Sequence, residues 1–388
     1  MKILFLAPQP FFEVRGTPLA VLHMVRALAT LGHEVDLLTF PQGEPAPMPG
    51  VRHLRSLRLP VGRVKAGPSL AKMLLDLPFM AEAVWRMATG RYDVVHAVEE
   101  AAHLAAPFTR LLGLPLVADV DSSIPDQLRY SGFARGGPLV WLAEALEKHA
   151  LRRSAAVVTV CTSLTDAVRA RAPQARVFQV EDPPLVGDAA PAPGSLAALR
   201  GELGLPALPV VLYSGNFEPY QGVDLLVDAA RQVPEACFLF MGGEPTEIDA
   251  LKARSAALGT ATRCIFSGKR PPSELPSFLA LTDVLASPRR HGQNTPFKVF
   301  TYLASGKPLV ATRIPTHTQL LDDSLALLVE PTPEGLAAGI RQTLGDPAGA
   351  RARAARGRAL IDREYSPARY AEKVARAYGV IAGLVHGH

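Results

Sequence analysis

The sequence predicts an α/β protein with two domains, each built on a doubly wound parallel sheet. Its 388 residues exceed what one ordinary hydrophobic core organises and suit two domains of similar size. Short runs of β character alternate with helical stretches along the chain, and a proline-rich segment lies near its middle. Hydrophobic residues make up 48% and charged residues 20%, which is typical of a folded globular protein.

The first half of the chain contains a series of predicted strands separated by helical segments. Most of these runs are continuously apolar, as expected when helices cover both faces of a parallel sheet. Their order along the chain therefore predicts one doubly wound sheet in this half. The predicted strands are Lys2–Ala7, Glu34–Phe40, Asp93–Val98, Leu116–Val120, Ala156–Val160 and Arg176–Val180.

The composition changes at Pro183–Pro209, where proline, glycine and alanine predict a connection between domains. We therefore expect a first domain over 1–182, a linker over 183–207 and a second domain over 208–365. The remaining residues, 366–388, are predicted to form a helix. The second series of strands is Val210–Tyr213, Cys237–Met241, Arg263–Phe266, Val284–Ser287, Pro308–Thr312 and Ala326–Val329. The apolar stripe of the last helix is Tyr370, Val374, Ala377 and Ile381.

Cysteine usage and hydropathy indicate a cytoplasmic protein. Cys161, Cys237 and Cys264 lie in or beside apolar runs and form no Cys-x-x-Cys pair, which predicts buried thiols and argues against structural zinc. A reducing compartment follows from this pattern. The apolar run at the N-terminus is cut by Pro8 and fits a strand better than a signal peptide. No run approaches the roughly 18 apolar residues of a membrane span.

The net charge of +5 suits phosphate-bearing ligands or an anionic membrane surface. Nucleic acid is not expected as a partner, because no basic stripe interleaved with aromatic residues occurs. A basic stretch before the amphipathic helix Leu70–Met87 has two interpretations, a solvated loop over a core helix or peripheral contact with the inner face of a membrane. The stretch contains Arg52, Arg55, Arg58, Arg63 and Lys65.

The loop after the predicted strand Val284–Ser287 has the features of a phosphate site. Thr295 is predicted to cap the following helix and Pro296 to be its first residue. Lys298 then falls in the first turn, where a cation opposes the helix dipole unless an anion binds there. Arg289 and Arg290 add positive charge in the loop. A solvated surface cluster is the alternative interpretation.

The first domain repeats this arrangement after its first strand. Thr17 is predicted to cap a helix that begins at Pro18, and Gly16 allows close approach of a ligand phosphate or sugar to the backbone. Arg15 stands beside it as an acceptor-side candidate. A plain capped helix is the alternative. Because no Gly-x-Gly-x-x-Gly fingerprint occurs here, a dinucleotide cofactor is not expected.

Further candidates follow other predicted strands, where the sites of open α/β sheets lie. Asp121 is the catalytic candidate, since it can accept a proton or orient a hydroxyl, although capping a helix or turn is the alternative. Glu99 and Glu100 are acceptor-side candidates with the same alternative. Glu244 is a candidate for the nucleotide pocket, and His96 is expected to face the core.

The chain resembles the retaining glycosyltransferases of family 4, which have the GT-B architecture of two Rossmann-like domains facing a cleft. The strongest likeness lies in Asn294–Lys298 and Tyr302–Thr312, with support from Gly32–Val35, Asp93–Ala97 and Asp346-Pro347. The resemblance implies that the C-terminal domain binds a nucleotide-sugar and the N-terminal domain a hydroxyl acceptor. It also implies that the last helix crosses back onto the first domain.

The sequence departs from the family pattern at several site positions. Two glutamates usual in the family are replaced by Gln293 and Thr301, and an arginine and a lysine usual in the family by Asn216 and Gln221. Asp121 stands where the family has a histidine.

Two cations thus leave one wall of the phosphate site, whereas Arg289 and Lys298 supply two on the other, so the site looks rebuilt. With Asn294, Gln293 and Thr301 beside them, these residues are the expected donor contacts.

We therefore expect transfer of a sugar from a nucleotide-sugar to a hydroxyl of a glycan, a lipid-linked molecule or a small molecule, with retention. No cofactor and no metal are expected, because the cations and the helix end neutralise the leaving diphosphate. Two alternatives stay open. One is a GT-B protein that binds a sugar-nucleotide without turnover, and the other is a GT-B sugar-nucleotide epimerase.

Overall fold

The computed structural model describes residues 1–13, 16–61, 70–130, 137–185 and 194–386. These residues form two compact units. Unit 1 contains Met1–Asp182 together with Ala368–His388, and unit 2 contains Pro183–Pro367. Each unit has a parallel sheet with helices on both faces.

Unit 1 contains a seven-stranded sheet with the order β3-β2-β1-β4-β5-β6-β7. The predicted strands of this half are all present, but the sequence analysis missed β3, which it treated as part of a basic loop. β3 lies at the edge, and three of its five residues, Arg52, His53 and Arg55, are polar, so it lacks the continuous apolar run of the central strands. The strands are β1 (Lys2–Ala7), β2 (Glu34–Thr39), β3 (Val51–Arg55), β4 (Val94–Val98), β5 (Leu116–Val120), β6 (Ala156–Thr159) and β7 (Val177–Gln179).

Two hydrophobic cores cover the two faces of this sheet. Alternate residues of β1 enter different cores, with Phe5 packed on one face and Leu6 on the other. This arrangement follows from the two-residue period of a strand. The helices of this part are α1 (Gly16–Thr30), α2 (Leu70–Thr89), α3 (Glu100–Leu111), α4 (Ile124–Tyr130), α5 (Pro138–Arg153) and α6 (Thr162–Arg171).

The C-terminal helix of the chain completes one core of unit 1. Its predicted apolar stripe is buried with α1 and β1. The hydroxyl of Tyr378, from the same helix, forms a hydrogen bond of 2.6 Å with His96 Nδ1. His96 is fully buried, as expected.

Unit 2 contains a six-stranded parallel sheet with the order β10-β9-β8-β11-β12-β13. All predicted strands of this half are present. They are β8 (Val210–Ser214), β9 (Cys237–Met241), β10 (Cys264–Gly268), β11 (Val284–Ser287), β12 (Leu309–Thr312) and β13 (Leu327–Val329). The three cysteines of the chain are buried, as predicted, and none forms a disulfide.

The segment that was predicted to be a linker contains α7, and leucines of this segment pack against the core of unit 2. The remaining helices position the site described below. From α7 to the C-terminus they are α7 (Ser195–Glu202), α8 (Val223–Ala229), α9 (Pro245–Ala257), α10 (Leu275–Leu281), α11 (Phe297–Ala304), α12 (Pro315–Thr318), α13 (Pro333–Gly345), α14 (Pro347–Leu360) and α15 (Pro367–His386).

Candidate functional site

The end of β11 leads through a loop into α11, which carries the candidate phosphate site. The helix begins at Phe297, so the prediction that Thr295 is the cap was wrong by one position. Pro296 occupies the cap position in an extended conformation, and its ring fixes the turn into the helix. Lys298 lies in the first turn, as predicted, and no acidic residue shares that turn.

Lys298 has an unusual environment for a lysine. Its Nζ donates a hydrogen bond to Gln221 Oε1 at 3.2 Å and lies 3.8 Å from the centre of the Tyr213 ring. No carboxylate pairs with it in the described part of the chain. Burial, followed by the nearby Arg289 guanidinium, lowers the pKa of Lys298 well below its ordinary value. The site therefore holds a cation that lacks an anionic partner.

The turn after β8 is shaped around this lysine. A Cβ atom at Gly215 would lie 2.8 Å from Lys298 Nζ, and one at Gly222 would lie 2.1 Å from the backbone oxygen of Pro288. Both glycines have positive φ, of +138° and +68°. Asn216 is exposed on the same turn, and its carbonyl accepts a hydrogen bond from Tyr213.

Arg289 is the second cation of the site, and it is 6% exposed. Its Nε donates to the carbonyl of His291 at 2.9 Å, and its Nη2 donates to Asn294 Oδ1 at 3.1 Å. The guanidinium also lies 5.1 Å from the centre of the Tyr220 ring. These contacts fix the guanidinium inside its own loop and leave its charge close to Lys298.

Arg290 was expected to add a third positive charge, and this expectation was wrong. Its guanidinium forms two hydrogen bonds to the Asp224 carboxylate, at 2.6 and 2.7 Å. The pair neutralises the charge, and it holds the pKa of Asp224 below its ordinary value although burial opposes this. Sequence alone could not show it, because the two residues are 66 positions apart.

Gln293 and Thr301, which replace the family glutamates, have different surroundings. Thr301 is 1% exposed, and its Oγ1 accepts a hydrogen bond from the backbone N–H of Leu185 at 3.1 Å. Thr301 thus holds the segment that enters unit 2. Gln293 is half-buried in the loop, and its carbonyl accepts a hydrogen bond from Gln319 Nε2 at 2.9 Å.

The sequence analysis missed His317, which supports this loop. The ring is fully buried and contacts Ser287 Oγ at 2.9 Å, Thr312 Oγ1 at 3.1 Å and the Thr312 carbonyl at 2.7 Å. Thr312 in turn donates to the carbonyl of Arg289. Burial lowers the pKa of His317 to about 4, so its ring is neutral at physiological pH. The available signal was a polar run directly after a buried strand, at the edge where sites lie.

Glu244 caps a helix and pairs with a different cation. It is the N-cap of α9 in a capping box with Glu247, and its carboxylate pairs with Lys269 at 2.6 Å. Its role in the structure is therefore to begin a helix.

In unit 1, α1 begins at Gly16 and Thr17 lies inside its first turn, so Thr17 is not the predicted cap. Gly16 is exposed, and a Cβ atom there would have no neighbour within 4 Å. Nothing in the described structure therefore requires glycine at this position. Arg15 lies outside the described residues. In the predicted basic stretch, Arg52 pairs with the buried Asp36, and Arg63 and Lys65 lie outside the described residues.

Carboxylates collect at the ends of β4, β5 and β7. Asp121 is 7% exposed and forms no hydrogen bond within the described chain, and Asp182 lies near it. Glu99 has a φ of +49°, an uncommon conformation for a non-glycine residue, and its carboxylate accepts hydrogen bonds from Ser122 and Gln127. The neighbouring Glu100 forms an ion pair with Lys72 at 2.5 Å.

The pKa values in this group are raised. Burial and then the Asp119 carboxylate place the pKa of Asp121 well above its ordinary value, and the same causes raise the pKa of Asp182 to about 8. Burial is also the main cause of the raised pKa of Glu99. Shifts of this size from burial and like charges are typical of functional sites.

Two general absences hold within the residues that the structure describes. No group of three or more His, Cys, Asp or Glu side chains is arranged to hold a metal ion. No helix among them combines the length and hydropathy that crossing a bilayer requires.

Two family descriptions match the chain. The Glycosyl transferase 4-like domain matches residues 15–182, and the Glycosyl transferases group 1 domain matches residues 208–346. The second match contains the Lys298 and Arg289 site, and the first contains the carboxylate group.

Several characterised proteins are similar to the chain in sequence. The 2-deoxystreptamine N-acetyl-D-glucosaminyltransferase of Streptomyces fradiae is 30% identical over 73% of this chain and 71% of that protein. A D-inositol 3-phosphate glycosyltransferase of Xylanimonas cellulosilytica is 27% identical over 82% and 80%. The match to the alpha-D-kanosaminyltransferase of Streptomyces kanamyceticus, 28% identical, spans 62% of this chain and 64% of that protein.

Solved structures show the same fold over the full chain. The sucrose-phosphate synthase of Thermosynechococcus elongatus superposes with a TM-score of 0.80 at 20% identity, covering 99% of both chains. Anabaena HepE in complex with UDP-glucose superposes with a TM-score of 0.78 at 18% identity, covering 98% of this chain and 100% of that one.

Proposed function

This chain belongs to the GT-B glycosyltransferases that join a 4-like domain to a group 1 domain, and we propose that it transfers a sugar from a nucleotide-sugar donor to a hydroxyl acceptor. The bond between the anomeric carbon and the diphosphate oxygen breaks, and the acceptor oxygen bonds to that carbon with retention. The nucleoside diphosphate leaves, and the hydroxyl proton passes to the leaving phosphate or to solvent.

The observation that carries the proposal is the half-buried ammonium of Lys298, whose only hydrogen-bond partner in the described chain is the neutral amide of Gln221. A diphosphate would supply the missing negative charge, and the first-turn N–H groups of α11 would supply further donors. Relatives with a similar fold, such as HepE bound to UDP-glucose, support a nucleotide-sugar as the ligand.

In this proposal Lys298 and Arg289 stabilise the negative charge that develops on the leaving diphosphate, so that no metal ion is needed. Asn294 holds the Arg289 side chain in place, so that the reaction does not have to supply the free energy needed to order it. Gln293 and Asn216 are proposed to contact the sugar and nucleotide, whereas Thr301 is proposed to act by fixing the segment at Leu185.

Unit 1 is proposed to bind the acceptor. Asp121 lies after β5 at the carboxyl edge of the sheet and, with no hydrogen-bond partner in the described chain, can orient the acceptor hydroxyl. Gly16 stands at the same edge, after β1, and its open surroundings permit close approach by a ligand.

The test is incubation of the purified protein with a panel of nucleotide-sugars, with binding followed by calorimetry and products by mass spectrometry. The proposal predicts diphosphate-dependent binding and transfer to an added acceptor. Binding with neither transfer nor hydrolysis would identify a binding protein without turnover. A changed sugar-nucleotide formed without acceptor would identify an epimerase.

We further propose that unit 1 contacts an anionic membrane at the inner face. Both tryptophans of the chain are exposed on its helices, Trp85 of α2 by 58% and Trp141 of α5 by 68%. Helix α3 packs against both α2 and α5 and exposes Leu111. Exposed apolar patches mark interaction sites, and Arg152 and Arg153 add positive charge to the end of α5.

Sedimentation with vesicles tests this contact. The protein is expected to bind vesicles that contain an anionic lipid and to bind neutral vesicles more weakly. Trp141→Ser should reduce binding, whereas Arg341→Ser, at an exposed position of unit 2, should not. Equal sedimentation of the wild type and Trp141→Ser would exclude this surface.

A further inference from the structure

A group of acidic side chains occupies one edge of the sheet in unit 1. The backbone N–H of Glu99 donates to the carbonyl of Asp119 at 2.8 Å, which aligns the end of β4 with β5. β6 and β7 continue the same edge. Because the carboxyl ends of parallel strands meet at one edge, Glu99, Asp121 and Asp182 come together although they follow three different strands.

The lysines of this region form ion pairs with other carboxylates. Lys72 pairs with Glu100, and Lys373 of α15 pairs with Glu181 at 2.5 Å. His96 contacts one oxygen of Asp119 at 2.9 Å.

What remains is a set of neighbouring polar side chains with atoms that form no hydrogen bond among the described residues. Asp121 is 7% exposed and has no partner, and the second oxygen of Asp119, which is 6% exposed, has none. Tyr370 lies near the same aspartates, is 6% exposed, and its hydroxyl forms no hydrogen bond within the described chain either. Buried polar groups are rarely left unpaired, so these groups indicate a missing ligand.

The ligand that these groups favour is a cation. Burial and the repulsion between neighbouring carboxylates raise their pKa values, and a bound ammonium group would favour their charged forms through charge-assisted hydrogen bonds. The described side chains offer no arrangement for a metal ion. An ammonium carried on a hydroxylated ring would donate up to three hydrogen bonds to these groups.

We propose that the acidic group of Asp119, Asp121 and Asp182, with the hydroxyl of Tyr370, selects an acceptor that carries an ammonium group beside its hydroxyls. This inference rests on the proposed function and names the acceptor class for the same site. It predicts discrimination by charge, with cationic acceptors preferred to neutral ones and anionic ones excluded.

Three ring compounds of similar size test this charge preference: 2-deoxystreptamine, which is cationic, myo-inositol, which is neutral, and inositol 3-phosphate, which is anionic. Each is titrated by calorimetry into the full-length protein in saturating UDP. We expect 2-deoxystreptamine to bind at least about tenfold more tightly than myo-inositol, as for one charge-assisted hydrogen bond, and the phosphate not to bind. Equal binding of the first two, or preference for the phosphate, would overturn the inference.

The variants Asp182→Asn and Tyr370→Phe test whether these two residues cause the charge preference. Each is expected to weaken 2-deoxystreptamine binding, by about tenfold for Asp182→Asn, without changing myo-inositol binding by a similar factor. Asp166→Asn, an exposed position on α6, removes the same charge and should change neither. UDP binding, measured on the same samples, reports on unit 2. If UDP binds but the charge preference is absent, the inference fails and the proposed function stands. If UDP and nucleotide-sugars do not bind at all, the proposed function itself fails.

Discussion

Lys298 Nζ lies 3.8 Å from the centre of the Tyr213 ring and 3.2 Å from the amide oxygen of Gln221. The ammonium thus meets an aromatic face and a neutral amide. Gln221 stands at the position where the resemblance implies a lysine. The ammonium of Lys298, in the first turn of α11, therefore lies beside the residue at that position.

Removal of the Lys298 charge should affect stability and binding in opposite directions. Because burial penalises the ammonium, Lys298→Met is expected to raise the free energy of unfolding by roughly 1 kcal/mol, or about 2–4 °C. The same change should weaken UDP binding roughly tenfold to a hundredfold. Thermal unfolding and calorimetry measure the two effects, and Lys252→Met, at an exposed position, is the control. A destabilised variant with unchanged UDP affinity would contradict this assignment.

UDP binding should be accompanied by uptake of protons. The pKa of Lys298 is lowered in the free protein, so part of the population is neutral as pH rises through that value. A bound diphosphate favours the charged form and draws a proton from solution. Calorimetric titrations in two buffers of different ionisation enthalpy, repeated from pH 7 to pH 9, measure the uptake. Lys298→Met should abolish it, and equal enthalpies for the wild type in both buffers at every pH would rule the effect out.

His317 should act on UDP through Arg289. Its ring joins the ends of β11 and β12, and Thr312 links this junction to the Arg289 carbonyl. His317→Ala is expected to weaken UDP binding, and its effect should be much smaller when Arg289 is already alanine. A double-mutant cycle by calorimetry measures the coupling. Additive effects of the two changes would reduce His317 to a general role in folding.

Gly16→Ala should weaken ligand binding without changing the stability of the protein. Since a Cβ atom there meets nothing within 4 Å, thermal unfolding is expected to stay within about 1 °C of the wild type. Transfer or donor affinity should fall if a ligand approaches this backbone. Gly339→Ala is the contrasting control, because its Cβ would lie 2.6 Å from Val329 Cγ1 and should destabilise unit 2. Unchanged activity in Gly16→Ala would remove this residue from the site.

Asp182 should make the free protein less stable at alkaline pH. Its pKa is raised from 3.8 to about 8, so the folded state binds a proton that the unfolded state has lost. This contribution to stability is fully present below about pH 4 and disappears as pH rises through about 8. Asp182→Asn should flatten that part of the stability profile, as measured by urea unfolding at several pH values. A profile identical to that of the wild type would show that Asp182 is ionised in the folded protein.

Much of the fold could be predicted because the central strands are continuously apolar and lie between helices. β3 could not, since it lies at the edge of the sheet and three of the five residues of Val51–Arg55 are polar, which leaves no continuous apolar run. The candidate phosphate segment was recognisable from a lysine in the first turn of a helix that begins beside a proline. Partnerships across the chain were not recognisable, because the Arg290–Asp224 pair joins residues 66 positions apart. The contacts of His317 join the ends of β11 and β12, and the order of strands in a sheet cannot be read from the sequence.

The most direct test of the central claim is a charge rescue at the diphosphate site. Lys298→Met is combined with Gln221→Lys, which returns an ammonium to the turn after β8, within reach of the point that Lys298 Nζ occupies. UDP affinity is measured by calorimetry for the wild type, both single variants and the double variant. We predict that Lys298→Met weakens UDP binding by at least about tenfold and that the double variant recovers most of the loss. If Lys298→Met binds UDP as tightly as the wild type, the diphosphate does not lie at this lysine and the assignment of the donor site is wrong.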